Sequence, residues 1–256
     1  MHRPWRSLAP LLLACLLAGA CGADGPSFGA PRGATRQGRE IFRLWQGSVW
    51  AALAVGALVW GLIFFVVLRY RRRGDRLPAQ TQANIPLEVL YTATPLAVVA
   101  VLFAFNVRTL DRVDALSAHP AVTVEVTGFQ WQWRFRYPRE GVEVIGTNTK
   151  EPVMVVPVHA TVRLILKSDD VQHSFFVPAF LFKRDAVPGL TNQVDLFVEK
   201  VGRYDGRCAE FCGLLHDRMR FVVEAVPPEQ FRQWVTRQQP QPTGPPRAGA
   251  PGGQIP

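Results

Sequence analysis

The chain is poor in cysteine, with four in 256 residues. Two of these, Cys15 and Cys21, fall in a stretch with the features of a cleaved leader. Cys208 and Cys212 alone remain for the folded part, too few for a disulfide framework. No C-x-x-C-H occurs, which excludes a c-type heme attached to this chain. No internal repeat is evident. A one-sided charge is also missing where a nucleic-acid surface would need it. The net charge is +9, yet between Asp111 and Pro240 16 Lys/Arg stand against 16 Asp/Glu. The whole excess lies outside that stretch, in arginines flanking apolar segments, which is a membrane-topology pattern and speaks against a nucleic-acid partner.

Residues 1–21 read as a signal peptide: Arg3 and Arg6, the apolar run Leu8–Leu17, then Ala18-Gly19-Ala20 before Cys21. Cleavage after Ala20 and lipoprotein processing at Cys21 both fit, although Ala18 stands where lipoprotein sites usually carry Leu. Residues 22–44 read as a linker. Two uncharged runs follow, Val49–Leu68 with 20 residues and Val89–Val107 with 19. At ~1.5 Å rise per residue, 20 helical residues span roughly 30 Å, the thickness of a bilayer core. They predict a transmembrane hairpin over 45–108, with helices at about 45–70 and 86–108. Pro95 is tolerable in the second where neighbours satisfy the freed carbonyl. The short connection carries Arg69, Arg71, Arg72, Arg73 and Arg76, which predicts a cytoplasmic turn with both mature ends outside. Arg32, Arg36, Arg39 and Arg43 weaken that bias, and the signal peptide supports it. A buried soluble hairpin is the competing reading.

From Asp111 the pattern turns from continuous to alternating. Val122, Val124 and Val126 alternate with Thr123, Glu125 and Thr127. Similar runs appear at 131–137, 153–158, 162–166, 193–198 and 219–226. Short strands between Pro/Gly/Asn turns predict an antiparallel all-β sandwich or barrel over 109–238. A terminal helix at 228–238 would pack Phe231 and Trp234 on the sheet, ahead of a disordered Pro/Gly-rich tail at 239–256.

The chemistry concentrates in Cys208-Ala-Glu-Phe-Cys212-Gly-Leu-Leu-His216-Asp-Arg-Met219, two thiols, an imidazole and a thioether within twelve residues. His173 lies on an earlier segment. Soft thiolate and thioether ligands favour copper over hard cations. A mononuclear copper site needs only one thiolate, whereas two cysteines in one loop can each bridge two metals. Zinc on Cys, Cys, His and His is chemically sound but leaves Met219 incidental. A Cys208–Cys212 disulfide also stays open in an oxidising compartment.

The loop Cys208–Met219 closely resembles the copper loop of cytochrome c oxidase subunit II. Asp169-Asp170-Val171-Gln172-His173-Ser174-Phe175 resembles the segment that supplies that family's first histidine. Lys183-Arg184-Asp185-Ala186-Val187-Pro188-Gly189 with Asn192 resembles its following turn, and Gly128-Phe129-Gln130-Trp131-Gln132-Trp133 its aromatic segment. These pieces and the membrane runs stand in the family's order over roughly residues 40–238.

The resemblance implies a two-helix transmembrane hairpin followed by a cupredoxin-like Greek-key barrel. It implies binuclear copper, with Cys208 and Cys212 bridging, and His173 and His216 as terminal ligands. Met219 and the Glu210 carbonyl would be weak ligands, and the Glu210 carboxylate would hold magnesium at the contact with subunit I. Trp131 would receive electrons from cytochrome c, with Trp133 as packing. Glu88 would stand at the mouth of a proton pathway, though an ionisable residue there more commonly just reaches the headgroups. Asp170 and Asp185 are candidates for docking cytochrome c. Phe129, Gln132 and Leu190 depart from the His, Tyr and Arg that the family often carries. His119 and His159 match no ligand position. The implied protein is the electron-entry subunit of a terminal oxidase in the bacterial cell membrane, multi-pass, with its copper domain outside the cytoplasm. Its partners would be subunit I, subunit III, cytochrome c and membrane lipid. Oxygen would be reduced to water in subunit I, coupled to proton translocation. Two other readings compete: a quinol-oxidising relative without copper, against which the retained ligands argue, and a membrane-tethered copper carrier.

Overall fold

The computed structural model describes residues 25–72, 74, 80–147 and 149–239. The expected signal peptide, Cys21, and the tail beyond residue 239 lie outside them, as do Arg73 and Arg76. The chain divides into two compact units. Among the described residues, the first comprises those up to Ser117 with Val177–Lys183 and Val194–Leu196, and the second the remainder.

Two long helices dominate the first unit, α1 (Arg36–Arg69) and α2 (Ile85–Asp114), both long and apolar enough to cross a membrane. Leu58, Trp60 and Phe64 on α1 and Leu96, Val99 and Phe103 on α2 are exposed. So many exposed large apolar side chains suit lipid and not water. The helices exceed their expected bounds at both outer ends. α1 starts at Arg36, inside the stretch expected to be linker, because a buried cap sets its start. The Thr35 hydroxyl accepts the Gly38 N–H at 2.9 Å, and Thr35 is fully buried. Ala34 N–H adds a 2.8 Å bond to the Ala179 carbonyl. α2 runs to Asp114 instead of 108, where Arg112 pairs with Glu40 at 3.5 Å. Its start is capped reciprocally. Asn84 accepts from Leu87 N–H at 3.3 Å, and the Glu88 carboxylate accepts the Asn84 N–H at 3.0 Å.

Ten strands follow: β1 (Val122–Phe129), β2 (Gln132–Tyr137), β3 (Val142–Ile145), β4 (Val153–Pro157), β5 (Thr161–Ser168), β6 (His173–Val177), β7 (Phe182–Ala186), β8 (Asn192–Phe197), β9 (Gly202–Cys208) and β10 (Arg220–Val226). Within the second unit they run in the orders β3-β2-β1-β5 and β4-β10-β9-β6. The expectation of purely antiparallel pairing is corrected. β1 pairs parallel with β5 and β10 parallel with β4, because long crossovers, not hairpins, bring these strands together.

Alternation does its work on β1, where Val122, Val124 and Val126 are all buried. Beside them stands an aromatic cluster. Phe175 stacks on Phe221 at 4.4 Å, and Trp133 meets both edge-on at 5.9 and 5.4 Å. A Cβ on Gly206 would collide with the Phe221 ring, so β9 needs glycine there. At the other end, Tyr137 is fully buried and donates to the Val155 carbonyl at 2.9 Å. The terminal helix α3 (Pro228–Gln238) lays Phe231 and Trp234 against Tyr137, with ring centroids 6.3 and 5.1 Å away.

Candidate metal centre

Two adjacent strands bring the donor residues together. β6 opens at His173 and β9 closes at Cys208, with Phe175 opposite Cys208 in the antiparallel register. The loop 209–219 then folds back over the strand ends. Ala209 N–H donates to the Ser174 carbonyl at 3.0 Å, and Cys208 N–H to the Met219 carbonyl at 2.9 Å. The second bond closes the loop into a ring whose sulfur groups all face inward. Gly213 takes φ +119°, a region side chains rarely adopt.

The donor atoms converge in a buried site. Cys208 Sγ and Cys212 Sγ are 3.8 Å apart, and both cysteines are free. His173 Nδ1 lies 3.9 Å from Cys208 Sγ, and His216 Nδ1 lies 3.5 Å from Cys212 Sγ. Met219 Sδ stands 3.7 Å from Cys212 Sγ, and the Glu210 carbonyl accepts from Cys208 Sγ at 3.3 Å. His173 and Met219 are fully buried, and the two cysteines nearly so. Among the described residues, the His, Cys, Asp and Glu donors within 4.8 Å of one another are His173, Cys208 and Cys212. Glu210 therefore joins through its backbone and not through its carboxylate.

The donor set suits copper. The sulfur separation suits one tetrahedral zinc or two bridged metals alike. Two thiols, two imidazoles, a thioether and a carbonyl make six donors, however, more than one tetrahedral ion takes. They also divide into two poles, one imidazole beside each thiol. The thioether is soft, as copper prefers.

The electrostatics favour a single thiolate, at Cys208, beside a Cys212 thiol that holds its proton and a His173 whose protonated form is stabilised. Burial pushes the Cys208 thiol up, but its bonds with His173 and the Glu210 and Ser174 backbone outweigh burial and bring it down to about 7. Cys212 is pushed up to about 12 by burial and by the charge on Cys208. Burial lowers His173, and the bonds to Cys208 and Asp170 more than reverse that, so it ends raised. Asp170 is held below the usual carboxylate range, because its bonds to His173 and to the backbone of Gln130 and Val171 exceed the cost of burial.

Around this centre lie the other residues singled out in the sequence, together with Gln130, to which the sequence assigned no role. Trp131 sits half-buried in the β1–β2 turn and donates its indole N–H to the Cys212 carbonyl at 3.1 Å. Gln130 Nε2 donates to the same carbonyl at 2.8 Å. Trp133 is fully buried, its ring 6.0 Å from that of His173. A Cβ on Gly128 would lie 2.9 Å from His173 Cγ and Cδ2. Asp170 is partly exposed, with its Oδ1 2.7 Å from His173 Nε2. Asp185 lies apart from the cluster, its carboxylate accepting from Gln172 Nε2 at 3.3 Å. Glu88 belongs to the cap of α2 in the other unit. His159 takes φ +56° beside Phe197, and His119 is exposed, both outside the donor cluster. At the departures, Arg134 covers the Phe129 ring at 6.0 Å, Gln132 donates to the Thr147 carbonyl at 2.9 Å, and Leu190 is exposed.

Comparison with known proteins finds similar chains. The family profile described as cytochrome c oxidase subunit II, periplasmic domain, matches residues 143–226. The probable cytochrome c oxidase subunit 2 of Streptomyces avermitilis is 38% identical over 277 aligned positions, covering 91% of this chain and 87% of that one. The cytochrome c oxidase subunit 2 of Corynebacterium diphtheriae is 34% identical, covering 81% and 75%. Among solved structures, the periplasmic domain of subunit II of cytochrome oxidase of Bradyrhizobium japonicum is 32% identical, covering 48% of this chain and 96% of that one with a TM-score of 0.44.

Proposed function

The chain belongs to the cytochrome c oxidase subunit II family, and from that premise we propose that it is the electron-entry subunit of its oxidase, taking electrons from cytochrome c at a binuclear copper centre. Family membership makes it a copper-binding membrane subunit of a heme-copper terminal oxidase, with a cupredoxin-like extracytoplasmic domain. The observation that carries the finer reading is the convergence of six donors, split into two poles about a thiol pair 3.8 Å apart.

In this reading Cys208, Cys212, His173 and His216 would hold the copper, with Met219 and the Glu210 carbonyl as weaker donors. Copper held there supplies one-electron redox chemistry. The chain's own contribution is rigidity. The loop ring closed by Cys208 N–H and Met219 O, and the β6–β9 register, hold the donors in one geometry, so a change of charge moves little. Trp131 takes the electron from cytochrome c. Its indole N–H on the Cys212 carbonyl gives a short covalent and hydrogen-bonded route to a bridging sulfur. Subunit I receives the electron at its hemes, reduces oxygen to water and couples this to proton translocation.

The remaining assignments rest on the resemblance. The Glu210 carboxylate, on the loop beside the cluster, holds magnesium against subunit I. Glu88 opens a proton pathway, although in this chain its carboxylate is engaged in the cap of α2. Asp170 and Asp185 contribute to the cytochrome c docking face. Subunit III and membrane lipid complete the surroundings, and α1 and α2 both cross the membrane with the Arg69–Arg72 end in the cytoplasm. The domain borders follow the sequence reading, moved to a hairpin over 36–114 and a barrel from 122.

Rapid-mixing reduction of the purified oxidase by cytochrome c tests this. Trp131→Phe should lose most of the fast reduction phase at the copper centre while copper content stays at the parent level. Unaltered fast reduction would remove Trp131 as the entry point.

A further inference from the structure

Asp169 and Asp170 stand side by side before β6, and in sequence they look like a pair of solvated charges. Their side chains do different things. Asp169 makes a surface ion pair with Arg134. Asp170 is partly exposed, but its carboxylate turns toward the centre. Its Oδ1 lies 2.7 Å from Nε2 of His173, whose side chain is fully buried. The same oxygen accepts Val171 N–H at 2.6 Å, and Oδ2 accepts the Gln130 N–H at 2.7 Å.

When the His173 imidazole is neutral, its single proton has one place to be. An ionised carboxylate can only accept, so Nε2 carries the hydrogen and Nδ1 keeps its lone pair toward Cys208, 3.9 Å away. The carboxylate thus selects the tautomer a metal ligand requires and fixes the ring about its long axis. Its second oxygen reaches the other wall. Gln130, gripped there by its backbone, donates its side chain to the Cys212 carbonyl, and Trp131, next in the chain, donates to the same atom. One carboxylate therefore ties a ligand histidine to the turn that carries the aromatic residue. The Cys212 carbonyl ties that turn back to the ligand loop.

We propose that Asp170 is the positioning residue of this centre: it orients His173 for coordination and, through the Gln130 backbone, holds the Trp131 turn against the ligand loop. The proposal rests on the metal-centre reading above. It separates Asp170 from Asp185, which shares its sign but whose carboxylate accepts from Gln172 and whose carbonyl accepts from Asn192. Removing a carboxylate behind a ligating histidine costs about 10–100-fold in metal retention in comparable sites.

The test uses the full-length chain purified in detergent, with Asp170→Asn, Asp170→Glu and Asp185→Asn beside the parent. With copper loaded, Asp170→Asn should release it to a chelator roughly 10–100-fold faster. Its reduction potential should shift upward, because a negative charge beside the metal is gone. Asp170→Glu should recover part of both, and Asp185→Asn should match the parent. In the metal-free chain, nitrogen-15 spectra should show the His173 Nε2–H and the Trp131 indole N–H exchanging faster in Asp170→Asn. Parent-like chelator rates and potential in Asp170→Asn would overturn the proposal, and so would an unchanged His173 signal. A parent chain that holds no copper would instead defeat the function proposed above, and the metal-free spectra would still decide the role of Asp170.

Discussion

Gly128 offers the sharpest test of how tightly the centre is built, because its replacement by alanine adds a single methyl group in a known direction. Gly128 lies in β1 opposite Trp133 of β2 and is paired to Ser168 of β5, so the strand cannot swing away without breaking both registers. The new methyl carbon would sit 2.9 Å from His173 Cγ and Cδ2 and 3.0 Å from its Cβ. Ordinary contact begins at 3.4 Å, so the imidazole must retreat by about half an ångström, the tolerance within which a functional constellation has to be held. His173 has no free side to retreat to. It is fully buried, with Trp133 edge-on at 6.0 Å and Asp170 on Nε2. Overpacking of this kind costs about 1–3 kcal/mol in fold stability, and displacement of a ligand ring should weaken metal retention roughly tenfold or more. The assay is chelator-driven copper release from full-length Gly128→Ala, with thermal unfolding followed in parallel. A variant that unfolds at the parent temperature and releases copper at the parent rate would refute the claim that β1 backs directly onto His173.

Other consequences can be checked the same way. In metal-free protein the thiolate is the reactive species, so alkylation of Cys208 should rise with pH through about 7, while Cys212 stays slow until pH approaches 12. Mass spectrometry of iodoacetamide-treated chain reads the order, and faster labelling of Cys212 would contradict it. Gly206→Ala should destabilise the barrel by about 2 kcal/mol or more through the Phe221 ring, seen as a lower melting temperature. Tyr137→Phe should cost about 1 kcal/mol, the net worth of its buried bond to the Val155 carbonyl, with copper binding unchanged.

The parts of this molecule that follow from local pattern were legible in its sequence. The uncharged runs of α1 and α2 are one-dimensional signals, and so is the alternation of β1. The spacing of Cys208, Cys212, His216 and Met219 places them in a single loop whatever the fold. Strands without alternation were not legible. β6 (His173–Val177) reads His-Ser-Phe-Phe-Val, and β9 carries Gly202, Arg203, Asp205 and Gly206 with burial confined to Gly206 and Cys208. Neither has a period-2 apolar face to find. Helix α1 began earlier than its apolar run because a buried threonine cap, not hydrophobicity, sets its start. The parallel pairs β1–β5 and β4–β10 depend on crossovers that no local pattern encodes.

Within the site, the ligand loop could be read but its supports could not. Asp170 is three residues from His173 in sequence, a spacing that on a helix would suggest contact and before a strand suggests nothing. Only the turn ahead of β6 folds its carboxylate back onto Nε2. Gly128 on β1 and Gln130 in the β1–β2 turn reach the centre from more than 40 residues before His173, through a close approach and a side-chain bond that leave no mark in composition.

The central claim is that this chain holds two coppers in one electronically shared centre, and copper stoichiometry with electron paramagnetic resonance on the purified full-length chain tests it most directly. Two coppers per chain, with one unpaired electron spread equally over both in the oxidised state, is the predicted result. One copper with a mononuclear spectrum, or a zinc-loaded chain that refuses a second ion, would contradict it.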